Sequence, residues 1–570
     1  MVYQEDMKTT NPITKADYPD PDVINAGGVF YMISTTMHFH PGGEILRSYD
    51  LINWEHCSYV FDRLDSTDAQ RLKGDKHIYG KGMWAASLRY HEGMFYVVFV
   101  CNDTHKTYLY KSSGIAGPWV KSTIEGFYHD CSLLFDEGRV FLVYGNTDIY
   151  LTELDDKLTG PKEGGLHRLI VSDKGNPNLG YEGSHIYKIF DRYYLFLIHS
   201  RRDAWRRVQA CFSADSLEGE FTGGDVLDDD LGFRNSGIAQ GGIVEGPEGV
   251  WHSIMFQDSG AVGRLPVLVP VSWEKNTEGK PYPVFGNAGK ASRDVKTTDL
   301  NPGYEYAPLT GSDDFDYDPS EKFEEDKEHY GSFGFKSFWQ FNHEPDLNLV
   351  GIDSLEKRLW IKTDKTAENI FHAANTLTQR MTFPTCSAEV TIDGSMLNDG
   401  DYAGLCAFQG DYMMIGIRKE DGKLFAESAS YTNESGDIWK LGEGPEKTIR
   451  RQELKECTLR VHLAAVFNDE QGDRDVVCLG NLSPAQMKNL QKIIKVPVWD
   501  RTNLILEIFS RRARTREARL QVESAYLQYM LPRLTGMWQH LGRQSGSGGS
   551  RANKGVGEKQ IELDRRQISH

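Results

Sequence analysis

Five times before residue 260 the chain repeats one short unit: a turn with Gly or Asp, then a strand of aromatic and β-branched residues. The units are AGGVFYMIST (26–35), HEGMFYVVFV (91–100), DEGRVFLVYG (136–145), IFDRYYLFLI (189–198) and PEGVWHSIMF (247–256). Turn residues ahead of alternating Tyr, Phe and Val specify hairpin strands, and helical spacing is nearly absent here. The units recur every 45 to 65 residues, the length that one four-stranded propeller blade needs. Five of them predict a mainly β chain built on a five-bladed β-propeller. A long β-sandwich also repeats aromatic strands, and the register of the repeats separates the two.

About 11 residues ahead of each aromatic strand stands a distinctive side chain: Asp20, Trp84, Asp130, Glu182 and Gln240. In a propeller, equivalent positions on the innermost strands face the central axis. Five separated residues then converge on one cavity, and three of them are carboxylic acids. Sandwich packing gives no reason for that register.

Three acids sharing a cavity repel one another when ionised, so their pKa values must separate. Cleavage of a glycosidic bond uses that separation: one protonated carboxyl gives a proton to the leaving oxygen while an ionised one activates water. Asp20 lies in YPDPD, where flanking prolines stiffen the backbone. Glu182, in YEGSHIY, has the longer reach suited to protonating a leaving group. Asp130, in YHDCSLLF, would lie between them. Taken singly, an Asp in DPD is usually a turn residue and a Glu before Gly-Ser a turn cap; their matched placement raises all three together. Trp84, in GMWAASLRY, reads equally as a sugar-stacking platform or a core residue. Arg264, in AVGRLPV, is a candidate for binding substrate hydroxyls, with a surface arginine as the plain alternative.

The segment NPITKADYPDPDVINAGGVFYMISTTMHFHPGGEILRSYDLINWE, followed in order by GKGMWAASLRYHEGMFYVVF, HDCSLLFDEGRVFLVYG and EGSHIYKIFDRYYLFL, resembles glycoside hydrolase family 43. That group contains β-xylosidases and α-L-arabinofuranosidases, and the likeness covers residues from about 11 to 290. The resemblance implies Asp20 as general base, Asp130 as pKa modulator and Glu182 as general acid, with inversion at the anomeric carbon. It implies Arg264 near the substrate. His40 stands before Pro-Gly where many members carry Phe in the sugar-binding wall. Gln240 stands where many members carry a His of a central site that often holds calcium. Gln240 is therefore a candidate calcium ligand, although no cofactor is required for the expected reaction.

The propeller is expected over residues 1–300 and a linker over 301–332, where the acidic run SDDFDYDPSEKFEEDKEHYGS reads as solvated. Alternating segments such as SAEVTIDG (387–394) place a β-sandwich over 333–464. It resembles the concanavalin-like domain that follows this propeller in many β-xylosidases, and it breaks off early. From 465 to 570 the pattern turns helical and ends in a Gly/Ser-rich stretch. LSPAQMKNL, DRTNLILEIF, RARTREARLQVE and GEKQIELDRR resemble, in order, the N-terminal and helical regions of the HflX family of ribosome-associated GTPases. No GxxxxGK[ST] phosphate loop is present, so nucleotide hydrolysis is not expected.

The formal charge of −18 argues against a nucleic-acid partner. No signal peptide or membrane-length apolar run is visible. The eight cysteines are scattered and read as free thiols, so a cytoplasmic location is expected. These readings predict an inverting exo-glycosidase that takes xylose or arabinose from short xylan-derived oligosaccharides. The alternative is a carbohydrate-binding propeller whose catalysis is impaired by the C-terminal fusion.

Overall fold

A computed structural model describes residues 10–318, 333–434, 440–467 and 476–478, with isolated helical positions at 506, 521, 522 and 525. The chain forms two compact units. One comprises Thr9–Phe383 with Asn433–Pro445; the other comprises Pro384–Thr432 with the residues from Glu446 onward and the short N-terminal end.

The first unit is a propeller built from five consecutive antiparallel sheets. Sheet one holds Asp22–Ala26, Val29–Ile33, Gly42–Ser48 and Glu55–Phe61. Sheet two holds Met83–His91, Met94–Cys101, Lys106–Ser112 and Val120–Ile124. Sheet three holds Ser132–Asp136, Arg139–Asn146, Asp148–Leu154 and His167–Ser172. Sheet four holds Glu182–Ile189, Arg192–Ser200, Arg207–Ala214 and Thr222–Leu227. In sheet five, Ile238–Ala239 and Ile243–Glu245 both pair with Trp251–Asp258, followed by Arg264–Lys275 and Pro281–Phe285. Each sequence repeat lies at the first hairpin of its sheet. In the first, Ala26 faces Val29 across a two-residue turn in which Gly27 and Gly28 both have positive φ (65° and 82°). That turn twists with the strands, and glycine adopts it without strain.

The sequence alternates because each strand sends side chains toward two neighbouring sheets. Val97 and Phe99 meet Ile33 and Ile45 of sheet one, while Val98 turns the other way onto Leu133 and Leu142 of sheet three. Phe141 and Val143 meet Ile186 and Leu195 of sheet four. Phe196 meets Met255 and Val267 of sheet five. Ile254 and Leu268 then return to Phe30 and Met32 of sheet one. The N-terminal segment ties this last seam: Asn11 donates to the Leu268 carbonyl and accepts its N–H, both at 2.8 Å. Each fully buried Phe in these layers stabilises the fold by roughly 1.5–3 kcal/mol relative to exposure.

The centre is plugged by charge. Arg89 donates to Asp22 (2.6 Å), to Ser132 Oγ (2.7 Å) and to the Leu88 and Leu133 carbonyls (2.7 and 2.9 Å). His185 Nδ1 lies 3.1 Å from the same Asp22 carboxylate. Burial opposes the Asp22 charge, but Arg89 and His185 outweigh it and hold the carboxyl below its usual range. Four sheets thus lock together through one buried ion pair.

Residues 333–383 fall in the propeller's unit. Phe341 and His40 exchange backbone hydrogen bonds at 3.0 and 2.7 Å, and Arg380 reaches Glu44 at 2.6 Å. The second unit has a sheet of Thr385–Asp393, Thr458–Val466 and Val476–Cys478, and another of Tyr402–Ala407, Tyr412–Glu420, Lys423–Tyr431 and Lys447–Glu453. Ile392, Ile417 and Val461 form its core. The helical segment expected after residue 465 lies almost wholly outside the described residues, as does the acidic stretch 319–332. The seven cysteines whose side chains are described are free thiols. Among the described residues no helix is long and apolar enough to cross a membrane.

Candidate active site

Asp20 and Asp130 lie two residues before the first strands of sheets one and three, Trp84 and Glu182 within the first two residues of theirs, and Gln240 between the two short segments that open sheet five. Asp20, Asp130 and Gln240 share a left-handed backbone, with φ of 52°, 47° and 55°. That conformation strains a non-glycine residue, and here it recurs in sheets one, three and five. Gly82, two residues before Trp84, is held at φ 78°, where a Cβ would lie 2.1 Å from the Met37 carbonyl oxygen. Only glycine lets the chain enter the second sheet there.

Asp130 and Glu182 come together around His129. The His129 Nε2 atom lies 3.6 Å from Asp130 Oδ2 and 3.5 Å from Glu182 Oε2. Asn146 donates to Glu182 Oε2 at 2.7 Å, and the Gly183 N–H donates to Asp130 Oδ2 at 3.2 Å. Asp130 is 6% exposed. Burial, with the nearby Glu182 and Asp20 charges, pushes its carboxyl up to about 7 against the opposing pull of His129 and Arg264. Burial alone would lower His129, but Asp130, Glu182 and Asp20 outweigh it and raise the imidazole to about 9. Asp130 and His129 therefore hold protons as a pair rather than singly.

Asp20 is held separately, on sheet one. It accepts from Thr35 Oγ1 at 2.7 Å and from Arg264 at 2.5 Å. Arg264 also reaches Asp258 at 3.2 Å, and Asp17 accepts its backbone N–H at 2.6 Å. Arg207 pairs with the other Asp258 oxygen at 2.6 Å. Both guanidinium groups lie over the Phe256 ring, at 4.2 Å for Arg264 and 5.0 Å for Arg207. Burial, then the Arg264 charge, depresses the Arg207 pKa. A fixed cationic wall thus backs Asp20 and keeps its carboxylate oriented.

Trp84 reaches the site: it is half-buried, its indole donates to the Gly80 carbonyl at 3.1 Å, and its ring meets His129 edge-on at 5.7 Å. Arg264 does so through Asp20. His40 does not. It is fully buried, its Nδ1 lies 3.0 Å from the His38 carbonyl, and its backbone is paired with Phe341. His40, the third substrate-binding candidate, is thus placed beneath the segment around Phe341 rather than beside the carboxylates. His129, Asn146, Arg207 and Asp258 are site residues that the register argument missed. His129 carried a signal, since it directly precedes Asp130.

The residues do not fit a resident calcium ion, which needs six to eight oxygen ligands. The Gln240 N–H is committed to Gln209 Oε1 at 2.8 Å, and its side chain lies against Gly183. Among the described residues no hydrogen bond or ion pair brings a carboxylate to Gln240. The cluster of metal-ligand type, His129 with Asp130 and Glu182, has donor atoms within 4.8 Å of one another. It offers a nitrogen donor and two carboxylates rather than an all-oxygen set, and the propeller centre already holds Arg89.

Comparison with known proteins agrees with this geometry. The profile of Glycosyl hydrolases family 43 matches residues 9–277, and that of the Beta xylosidase C-terminal Concanavalin A-like domain matches 328–473. The GTP-binding GTPase N-terminal and Middle Region profiles match 460–510 and 512–570. A Beta-xylosidase of Formosa agariphila is 26% identical over 479 residues, covering 73% of this chain and 76% of the relative. A structure described as bifunctional GH43-CE from Bacteroides eggerthii superposes with a TM-score of 0.70 at 34% identity, over 80% of this chain and 56% of that one. A GTPase HflX of Spirochaeta thermophila is 57% identical over 88 residues, only 15% of this chain and 21% of the relative. The protein is thus a glycoside hydrolase with a family 43 domain over residues 9–277 and a region matching the concanavalin-like domain, followed by segments similar to the N-terminal and middle regions of HflX-type GTPases.

Proposed function

We propose that the propeller is an inverting exo-glycosidase that releases xylose or arabinose from short xylan-derived oligosaccharides, with each of its five sheets serving as one blade. The observation that carries this reading is the division of the carboxylates. Asp130 and Glu182 share His129, while Asp20 stands on sheet one, fixed by Arg264 and Thr35. Sheets one and four are not neighbours in the ring, so Asp20 and Glu182 face each other across the cavity. Inversion requires such an arrangement, with a water between base and sugar.

Asp20 takes the proton of the attacking water as its oxygen bonds to the anomeric carbon. Glu182 gives its proton to the glycosidic oxygen as that bond breaks. Asp130 and His129 position Glu182 and supply its proton, and Trp84 walls the sugar. The division into base and acid follows from their partners: Arg264 and Thr35 hold the Asp20 carboxylate, whereas Glu182 stands beside His129 and Asn146. Similarity to a β-xylosidase supports xylose as the first substrate to try. The expected site of action is the cytoplasm, on imported oligosaccharides.

The test is hydrolysis of p-nitrophenyl β-xyloside and α-L-arabinofuranoside by the full chain and by Glu182→Gln, with the product anomer followed by NMR. Turnover that falls at least a thousandfold in the variant, with the inverted anomer appearing first, supports the assignment. A retained anomer, or undiminished turnover in Glu182→Gln, refutes it.

A further inference from the structure

The turn between the second and third strands of sheet four, SRRDAWRR (200–207), carries Trp205 at 60% exposure. Its indole makes no hydrogen bond and no ring contact among the described residues. Single exposed apolar side chains are common on proteins, so exposure by itself says little. The way this turn is held says more. On one side Arg202 bonds Asp173 (2.5 Å), and Asn176 and Asn178 donate to the Ser200 and Arg201 carbonyls (2.8 and 2.7 Å). On the other, Arg206 bonds Asp228 (2.5 Å) and Asn235 (2.8 Å), and Arg201 reaches Asp228 at 3.3 Å. Arg201 also clasps Asp203 within the turn at 2.8 and 2.9 Å, and its N–H bonds the Arg206 carbonyl at 2.9 Å. Arg201, Arg202 and Arg206 are all engaged in fixing the turn, and the tryptophan is left presented.

Its position is set by register. Glu182 faces Ile198, and Ile198 faces Gln209, on adjacent strands. The last paired rung above them is Ser200 with Arg207. Trp205 therefore stands on the active-site end of the same sheet as Glu182, roughly two to four rungs above it, at ~3.3 Å per residue. That is about the span of one or two pyranose rings.

From this placement we propose that Trp205 is a sugar-stacking residue for the leaving-group side of the substrate, binding a pyranose unit of the chain beyond the bond that is cut. This rests on the proposed function. The general acid stands beside the departing oxygen, so the departing sugars run past the sheet that carries Glu182. The apolar face of a pyranose packs on an indole, and an indole on a rigid turn loses little entropy when it binds.

The experiment compares the full-length wild type with Trp205→Ala and Trp205→Phe on xylotetraose and on methyl β-xyloside, which has no leaving-group sugar. Calorimetric titration of xylotetraose into Glu182→Gln, with and without Trp205→Ala, reads binding without turnover. The expected result is a fall of about tenfold in xylotetraose kcat/KM for Trp205→Ala. Methyl β-xyloside should change less than twofold, and Trp205→Phe should stay within about threefold of wild type on both. A similar weakening of xylotetraose binding should appear in the Glu182→Gln background. An unchanged tetraose-to-methyl-xyloside ratio overturns the proposal. Wild-type inactivity on every substrate refutes the hydrolytic reading instead, and the titration then decides Trp205: affinity unaffected by its removal, or no affinity at all, overturns it.

Discussion

Replacing Asp130 by Asn should make the protein more stable while it removes activity, and the gain should depend on pH. The carboxyl moves from 3.8 in a free carboxyl to about 7 in the folded chain. At ~1.4 kcal/mol for each tenfold change in proton affinity, ionised Asp130 costs the fold roughly 4 kcal/mol. Because the residue is 6% exposed, solvent screening recovers little of that cost. The sign follows from proton counting. Between the unfolded and folded pKa values the folded state binds more protons than the unfolded one. Stability from this group is therefore greatest below 3.8, declines as pH rises through about 7, and is flat beyond. At pH 5, only a little above the ordinary carboxyl value, the smaller part of that cost is expressed. The neutral amide carries no such cost, and its oxygen still accepts the Gly183 N–H. Calorimetry of the propeller transition should show Asp130→Asn melting about 5 °C higher than wild type at pH 8 and about 2 °C higher at pH 5. A variant no more stable than wild type at pH 8, or equally stabilised at both values, would refute the reasoning.

His129→Asn removes the cation that holds Asp130 down, so the alkaline limb of kcat/KM should move upward by about one pH unit, with kcat falling about tenfold; a downward move contradicts the assigned role. His129 itself stabilises the fold fully below 6.5, and that contribution is lost as pH rises through about 9, a slope that stability measurements on the variant should lack. Arg89→Met strands the Asp22 charge in the propeller centre and should destabilise the propeller by about 3–5 kcal/mol. Adding Asp22→Asn should recover part of that loss, and full additivity of the two changes would show that they are not a pair. Chelation with EDTA should leave turnover within about twofold, since the donor set around Gln240 does not suit a hard dication; a large loss restored by calcium would overturn that account.

The alternation of residues such as Val97, Val98 and Phe99 is a local property. Period-two patterning alone placed the aromatic strands, and with them the register that puts Asp20, Trp84, Asp130, Glu182 and Gln240 at equivalent strand starts. The carboxylate inventory was legible for the same reason. Only the closed tertiary structure decided which of those side chains share protons. His129 acquires its charge from Asp130, its own neighbour, and from Glu182, which arrives from a different sheet. Arg89 and Asp22 meet across 67 positions of sequence, and Arg207 and Arg264 converge on Phe256 from two sheets. His40 shows the converse. Its motif pointed to the cavity, yet pairing with Phe341 buried it. A strand's two faces are written in its own residues, whereas what each face meets depends on which sheet closes beside it and on the desolvation and charge that closure brings.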